Sequence, residues 1–317
     1  MRRGRNRNWP SLRASRSEAK QSRTKIASAS FGTLPRNDNH LDLIEATLKR
    51  CLPVATTHPR EIHEAMRYAV LNGGKRFRPL LVLHACEAVG REAKQALVPA
   101  CAIELIHAYS LVHDDLPALD NDRVRRGKLT CHRKFGEALA ILAGDALLTR
   151  AFQLLGEVKP PEKAVRLLHE VAEAAGTQGM VGGQVADILL SKNGSRRPAR
   201  LSTLDTINRH KTGRLIEASV MVGAIMGTDV PEKLRRIRRF GAALGLAFQV
   251  VDDIMDGDGY LQLMNPDQAR QKVQGLIRQA KEEVEVFGRR GKGLLSLADF
   301  LWKRIPTENY VPVGLKD

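Results

Sequence analysis

The chain has little aromatic residue, 4% of its 317 positions, and nowhere shows eighteen uninterrupted apolar residues. The second absence argues against a membrane-spanning helix, which needs about twenty mainly apolar residues. Cysteine is scarce and scattered: Cys51, Cys86, Cys101 and Cys131 form no CxxC pair and no Cys/His cluster. That argues against structural zinc and against a disulfide scaffold, and it suits a reducing compartment. The β-branched Val, Ile and Thr are outnumbered by Ala, Leu, Glu, Arg, Lys and Gln, which is helix-forming composition.

Acidic residues are also short, 35 against 51 Lys and Arg, for a net charge of +16. Half of that excess is local. Residues 1–40 carry ten Arg or Lys against only Glu18 and Asp38, a surplus of +8. An Arg- and Ser-rich, acid-poor leader of this kind, with no apolar centre, has the composition of an organellar transit segment and not of a secretory signal. Residues 1–39 are read first as a disordered basic extension, with a transit peptide and a polyanion-binding arm as the other readings. Nucleic-acid binding rests on this charge alone, so no nucleic-acid partner is expected. The expected location is cytoplasmic, or organellar if the extension is a transit peptide.

From His40 onward the apolar spacing is helical almost throughout, as in Leu41, Ile44 and Leu48. Long helical runs are predicted near 79–90, 94–115, 135–156, 160–177, 203–226, 231–256, 265–287 and 294–303. Pro160-Pro161, Asn193-Gly194-Ser195 with Pro198, and Gly227 with Pro231 separate several of them. No alternating strand pattern, repeat or long Gly/Ser linker interrupts the core. The expected fold is all-α, a single-domain bundle of about ten helices over residues 40–304, followed by a tail over 305–317.

The chemistry is concentrated where two of these helices end. Asp114, Asp115, Asp120 and Asp122 place four carboxylates within nine positions, at the C-terminus of the predicted 94–115 helix. The helix dipole already puts negative charge there, so Lys or Arg would be the stabilising choice. Acids gathered against that field point to a divalent cation, and an oxygen-only set suits Mg²⁺. A second cluster, Asp252, Asp253 and Asp256, begins 138 residues later and ends the apolar run from Phe240 to Val251. Asp252 and Asp256 are one turn apart on one face. Two such clusters read as facing halves of a Mg²⁺ site for a diphosphate. Cations accompany them: Lys75, Arg76 and Arg78 follow Gly73-Gly74, and Arg125-Arg126-Gly127 follows the first cluster. A guanidinium fork suits bidentate phosphate contact.

These motifs resemble those of the trans-isoprenyl diphosphate synthases, most nearly the bacterial-type farnesyl diphosphate synthases. The stretches that carry the likeness are His107 to Pro117 with Arg125-Arg126-Gly127, and Phe248 to Asp256. Gly73 to Arg78, Gly182-Gly183-Gln184 with Asp187, and Lys211-Thr212-Gly213 match in type and order. The resemblance implies the isoprenoid synthase bundle around a deep central cavity. It implies Mg²⁺, three ions, on Asp114, Asp115, Asp120, Asp252, Asp253 and Asp256. It assigns isopentenyl diphosphate to Lys75, Arg78, His107 and Arg126, and the allylic diphosphate to Arg125, Lys211, Thr212 and Gln249. It makes Tyr109, five residues before Asp114, a floor that stops the product at C15. It also implies a homodimer.

Two departures stand out. Arg123 occupies a position where that family often has another Asp. After Asp256, where the family carries a loop of some twenty residues with two lysines, Gly257-Asp258-Gly259-Tyr260 leads almost at once towards the next helix. The short segment leaves two readings open: an active prenyltransferase, or a homologue that binds diphosphates or serves as a partner subunit with little turnover.

Overall fold

The computed structural model describes residues 38–192 and 200–305. The extension over 1–37, the breaker at 193–199 and the tail from 306 lie outside the described residues. Thirteen α-helices occur among the described residues. They are α1 (Asp38–Cys51), α2 (Arg60–Leu71), α3 (Phe77–Ala88), α4 (Leu97–Asp114), α5 (Cys131–Phe135), α6 (Glu137–Gly156) and α7 (Pro161–Ala175), followed by α8 (Met180–Lys192), α9 (Leu201–Asn208), α10 (Arg214–Gly227), α11 (Pro231–Asp256), α12 (Pro266–Glu285) and α13 (Lys292–Lys303). The all-α expectation is borne out, and the count exceeds ten because α5 and α9 are short pieces between the long helices.

Local chemistry explains the boundaries. Pro231 and Pro266 open α11 and α12 at first-turn positions, where a missing N–H costs nothing. Asn265 and Gln268 close a capping box at α12: Gln268 N–H donates to Asn265 Oδ1 (2.8 Å), and Asn265 N–H donates to Gln268 Oε1 (3.1 Å). Gly257 ends α11 in the left-handed region at φ 68°, as a glycine after a helix end commonly does. The predicted 203–226 helix is interrupted by a π-helical turn, Arg209–Gly213. Its backbone lies against a glycine on each side: a Cβ at Gly183 would fall 2.2 Å from Lys211 N, and one at Gly245 2.8 Å from Gly213 Cα. One small antiparallel hairpin, β1 (Val124–Arg125) with β2 (Lys128–Leu129), was not legible in the apolar pattern because it has only two residues per strand. Arg126 (φ 53°) and Gly127 (φ 76°) form its turn, with both central residues at positive φ.

Helices α3, α4 and α10 lie almost wholly inside. Helix α10 packs on α3 and α11, α4 on α6, and α11 on α12. Leu80, Leu81, Leu83, Ile103, Leu105 and Ile106 are fully buried, each worth roughly 1.5–3 kcal/mol of transfer from water. The segments Ala93–Asp114 and Glu137–Gly156 are long and apolar enough to cross a membrane by length and composition. An uninterrupted-run criterion misses them because polar residues such as Glu104 punctuate the first. In that segment 67% of the apolar window is buried within the fold, which is the behaviour of a core helix.

The core holds one deeply placed charge system. Arg76 is 3% exposed, and it donates to Glu45 Oε1 (2.7 Å), Glu104 Oε1 (2.8 Å) and the Val70 carbonyl (2.8 Å). Of the three cations predicted together in the Gly73–Pro79 turn, Arg76 therefore faces the core and not a phosphate. Its role is to pin the start of α3 to α1, α2 and α4. Removing it strands Glu104, itself 3% exposed, without its cation. Arg76→Ala should lose about 3–5 kcal/mol of unfolding free energy, the cost of orphaning a buried charge, as measured by urea denaturation. A loss below about 1 kcal/mol would show that Glu104 finds another partner.

Candidate active site

The first acidic cluster is built by the end of α4. Asp114 is the last residue of the helix, and the chain then folds back so that Asp120 N–H donates to the Asp114 carbonyl (2.8 Å). Burial raises the Asp114 carboxyl to about 6, with Lys211 opposing the rise and Asp120 adding to it. Asp115 behaves differently. It is 3% exposed, and Arg125 grips it with Nε on Oδ1 (2.8 Å) and Oδ2 (3.0 Å) and Nη2 on Oδ1 (2.6 Å). Arg125 Nη2 also lies 3.5 Å from Asp122 Oδ2, and Thr130 Oγ1 donates to the Asp122 carbonyl (2.8 Å). Asp115 and Arg125 were expected to serve a metal and a diphosphate respectively. The structure pairs them with each other, so both act first as the brace that shapes the loop. Asp120, exposed, lies near enough to Asp114 to act on its charge.

The second cluster ends α11, whose last turn contains no basic residue. Asp253 accepts from Gln249 Nε2 (2.8 Å) and from the Tyr260 backbone N–H (3.1 Å). Burial outweighs both bonds and raises its carboxyl to about 7. Asp252 accepts from Arg304 Nη2 (2.7 Å), and Asp256 is exposed at the helix end.

Two chains of contacts bring the clusters together. On one side, Lys211 in the π-helical turn donates to Asp187 Oδ2 (2.7 Å) and acts electrostatically on Asp114. Its neighbour Thr212 donates through Oγ1 to Gln249 Oε1 (2.8 Å), and Gln249 donates to Asp253. π-Helical turns of this sort occur frequently at functional sites. On the other side stand Arg126, His107, Arg78, Lys75 and Arg304. Arg126 donates through Nη1 to the Gly73 carbonyl, and a Cβ at Gly74 would meet that guanidinium at 2.5 Å. Burial, reinforced by Arg78, Arg126, Arg125 and Arg76, pushes His107 well below the ordinary imidazole range, so it is neutral at pH 7. Burial and then Arg304 lower Lys75 to about 8, partly offset by Asp252.

Sequence reasoning missed Arg304 and an aromatic platform beneath the cations. Arg304 lies 5.2 Å and Arg78 6.0 Å over the Phe248 ring, and Lys75 lies 5.6 Å over Phe300. Phe77 joins both rings, at 5.3 and 6.4 Å. No local motif marks Arg304; only its basic character near the chain's end could have drawn notice. Tyr109, 6% exposed, packs edge-to-face on His113 (5.9 Å), and burial with the nearby Asp114 pushes its phenol up to about 12.

Three cations crowded beside one carboxylate, Asp252, call for a polyanion. Arg78 Nε is buried with no hydrogen-bond partner among the described residues. Asp114 and Asp253, raised by burial, call for a cation. Oxygen-only donors with no histidine among them fit Mg²⁺. Basic and acidic walls of this kind suit a diphosphate held partly by metal and partly by arginine.

A family profile described as polyprenyl synthetase matches residues 59–270. The chain belongs to that family. It is 50% identical over 205 residues to the farnesyl diphosphate synthase of Geobacillus stearothermophilus, covering 63% of this chain and 68% of that one. It is 42% identical over 271 residues to a chloroplastic geranylgeranyl pyrophosphate synthase of Capsicum annuum, covering 78% and 73%. It is 41% identical over 285 residues to a heterodimeric geranylgeranyl pyrophosphate synthase large subunit of Arabidopsis thaliana, covering 82% and 76%. Among solved structures, an FPP/GFPP synthase of Zymomonas mobilis in its apo form superposes with a TM-score of 0.76 at 38% identity, covering 89% of this chain and 97% of that one.

The Lys75 shift carries a pH signature. With burial and Arg304 holding Lys75 near 8, its charge is present below that pH and lost above it. Calorimetric affinity for isopentenyl diphosphate should therefore fall about tenfold between pH 7 and pH 9, where an ordinary lysine would hold its charge. Lys75→Arg should flatten the fall. A flat profile in the unaltered protein would remove Lys75 from the diphosphate site.

Proposed function

We propose that this chain catalyses the head-to-tail condensation of isopentenyl diphosphate with an allylic diphosphate, giving farnesyl diphosphate. The observation that carries the reading is the joining of the two acidic helix ends through Lys211, Thr212, Gln249 and Asp253, opposite Lys75, Arg78, His107 and Arg126. Mg²⁺ on Asp114 and Asp120 of one cluster and on Asp252, Asp253 and Asp256 of the other, three ions in all, would neutralise the allylic diphosphate and stabilise its departure as a leaving group. Lys211 and Arg125 add fixed positive charge where negative charge grows in the transition state. As the allylic C–O bond breaks, its electron pair leaves with the diphosphate. The isopentenyl double bond then forms the new C–C bond, and a proton lost from the adjacent carbon passes to the departed diphosphate. Neutral His107 and the cations around Arg78 orient the isopentenyl diphosphate.

Tyr109 supports a C15 product. It lies more than one turn below Asp114 on α4, buried, where it can act as a floor to the growing chain. A C20 product is the alternative that the geranylgeranyl-named relatives keep in view. A homodimer is supported by outward apolar side chains on two helices: Ile141 and Leu142 on α6, and Val181, Val185 and Leu189 along one face of α8. Four buried free thiols support a cytoplasmic location, with an organelle as the alternative if the basic extension is a transit peptide.

The segment after Asp256 favours a second reading. It is a turn and a 3₁₀ segment, Gly259–Gln262, in place of a lysine-bearing lid. Its Tyr260 N–H occupies Asp253, and the Tyr260 hydroxyl donates to Asp205, which Lys272 also bonds (3.1 Å). A site that lacks a lid loses water exclusion and two cations at the leaving group. The second reading is therefore a diphosphate-binding homologue or partner subunit of low turnover.

Product analysis with purified protein, Mg²⁺, isopentenyl diphosphate and C5 or C10 allylic substrate decides between the two. Turnover is expected, and Asp114→Ala or Asp252→Ala should each lower it ~10²-fold or more. Absence of product with retained diphosphate binding would establish the second reading. Equal turnover in the Asp114→Ala variant would sink the metal assignment. Tyr109→Ala should lengthen the product from C15 towards C20 while the chemistry persists. An unchanged spectrum would reduce Tyr109 to a core residue.

A further inference from the structure

Away from the diphosphate site, the far end of α3 meets α1 in a cluster that the reaction does not use. Glu87 receives one imidazole on each carboxylate oxygen: His40 Nε2 lies 3.3 Å from Oε1, and His84 Nδ1 lies 2.8 Å from Oε2. The rings of His40 and His84 stand edge-to-face, 5.0 Å apart, and all three donor atoms lie within 4.8 Å of one another. His84 and Glu87 are one turn apart on α3, a spacing that aims two ligands at one point, and His40 closes the set from α1. We propose that His40, His84 and Glu87 form a binding site for a divalent transition metal of the zinc type, which joins α1 to α3.

Several features of the site suit such an ion. Two imidazoles and a carboxylate are a zinc donor set, and softer or harder ions prefer thiolates or oxygen alone. With bonds of about 2.0–2.1 Å in a tetrahedron, neighbouring donor atoms stand roughly 3.3 Å apart. The two imidazoles contact different oxygens of Glu87, at 3.3 and 2.8 Å, so bringing the three residues onto one ion needs a turn of the carboxylate and an opening of the His84 hydrogen bond by about half an ångström. The His84 side chain is 4% exposed and the His40 side chain 17%, whereas Glu87 is 34% exposed. The cluster is therefore buried on two sides and open on one, which leaves an entry path and a fourth position for water. The α13 backbone closes in on the ring from one side, where only glycine fits: a Cβ at Gly293 would fall 2.1 Å from His84 Nδ1.

The absence of Cys-rich motifs speaks only to thiolate zinc sites. It does not reach an imidazole set whose members are separated by 44 positions between His40 and His84.

Cobalt(II) titration of the metal-free, untagged full chain tests the site. A His₂Glu site gives the intense visible bands of tetrahedral cobalt, whereas the aspartate clusters offer only oxygen and give weak octahedral bands. Bands that saturate at one cobalt per chain, and that zinc displaces, are expected. They should vanish in His40→Ala and in Glu87→Gln, the second of which keeps the shape and hydrogen-bonding capacity of the side chain. They should persist in Asp114→Asn with Asp252→Asn. Zinc affinity should drop ~100-fold or more in either ligand variant, since loss of a supporting partner alone costs 10- to 100-fold. Saturating zinc should raise the thermal midpoint of the unaltered chain and leave that of Glu87→Gln unchanged. Absence of tetrahedral bands, or their survival in either ligand variant, overturns the proposal.

Discussion

The molecule is organised around an unfavourable electrostatic arrangement at two helix ends. Helices α4 and α11 each finish in carboxylates, where their own dipoles are already negative. Burial then makes the charged forms of Asp114 and Asp253 harder to hold. The surrounding residues answer this tension at short range. Arg125 takes Asp115, Arg304 takes Asp252, Gln249 and the Tyr260 amide take Asp253, and Lys211 lies near Asp114. What is left over, acid on one wall and cation on the other, matches a metal-bound diphosphate.

Holding that arrangement open demands a scaffold that does not relax around it. The π-helical turn carrying Lys211 and Thr212 is pressed between α8 and α11, where Gly183 and Gly245 let backbones meet. Beneath the cationic wall, Arg76 locks the start of α3 onto Glu45 and Glu104. Lys75 and Arg78 flank Arg76 in sequence, yet they face the site over Phe300 and Phe248. Neighbouring cations thus divide into one that secures the fold and two that lie over the aromatic platform of the site. A buried pair such as Arg76–Glu104 is costly to break, which keeps its neighbours in register.

The segment after Asp256 shows how a short connection can alter a site without altering a fold. Gly257 ends α11 cleanly, and Tyr260, fully buried, anchors the return through Asp205. Packing is satisfied. The consequence falls on Asp253, which the turn holds by its backbone, and on the mouth of the site, where no lysine-bearing loop follows.

Much of this was legible in the sequence, because helices announce themselves locally. Apolar spacing, Pro231 and Pro266, and the acid runs at 114–122 and 252–256 gave the all-α class and both acidic clusters. They rest on interactions within a few residues, so one sequence carries them. The π-helical turn was hidden, because its cause lies in glycines of two other helices. The three cations of the Gly73 turn looked alike; only the packed fold turned Arg76 inward to Glu104. That Arg125, ten positions on, folds back against Asp115 was likewise not visible. Arg304 and the trio of His40, His84 and Glu87 carry no motif at all. Periodicity tells which face of a helix avoids water, not which residue from a distant helix it will meet. The sequence by itself therefore determined the helices and the charges they present. Tertiary packing decided which charges neutralise one another and which remain to bind a ligand.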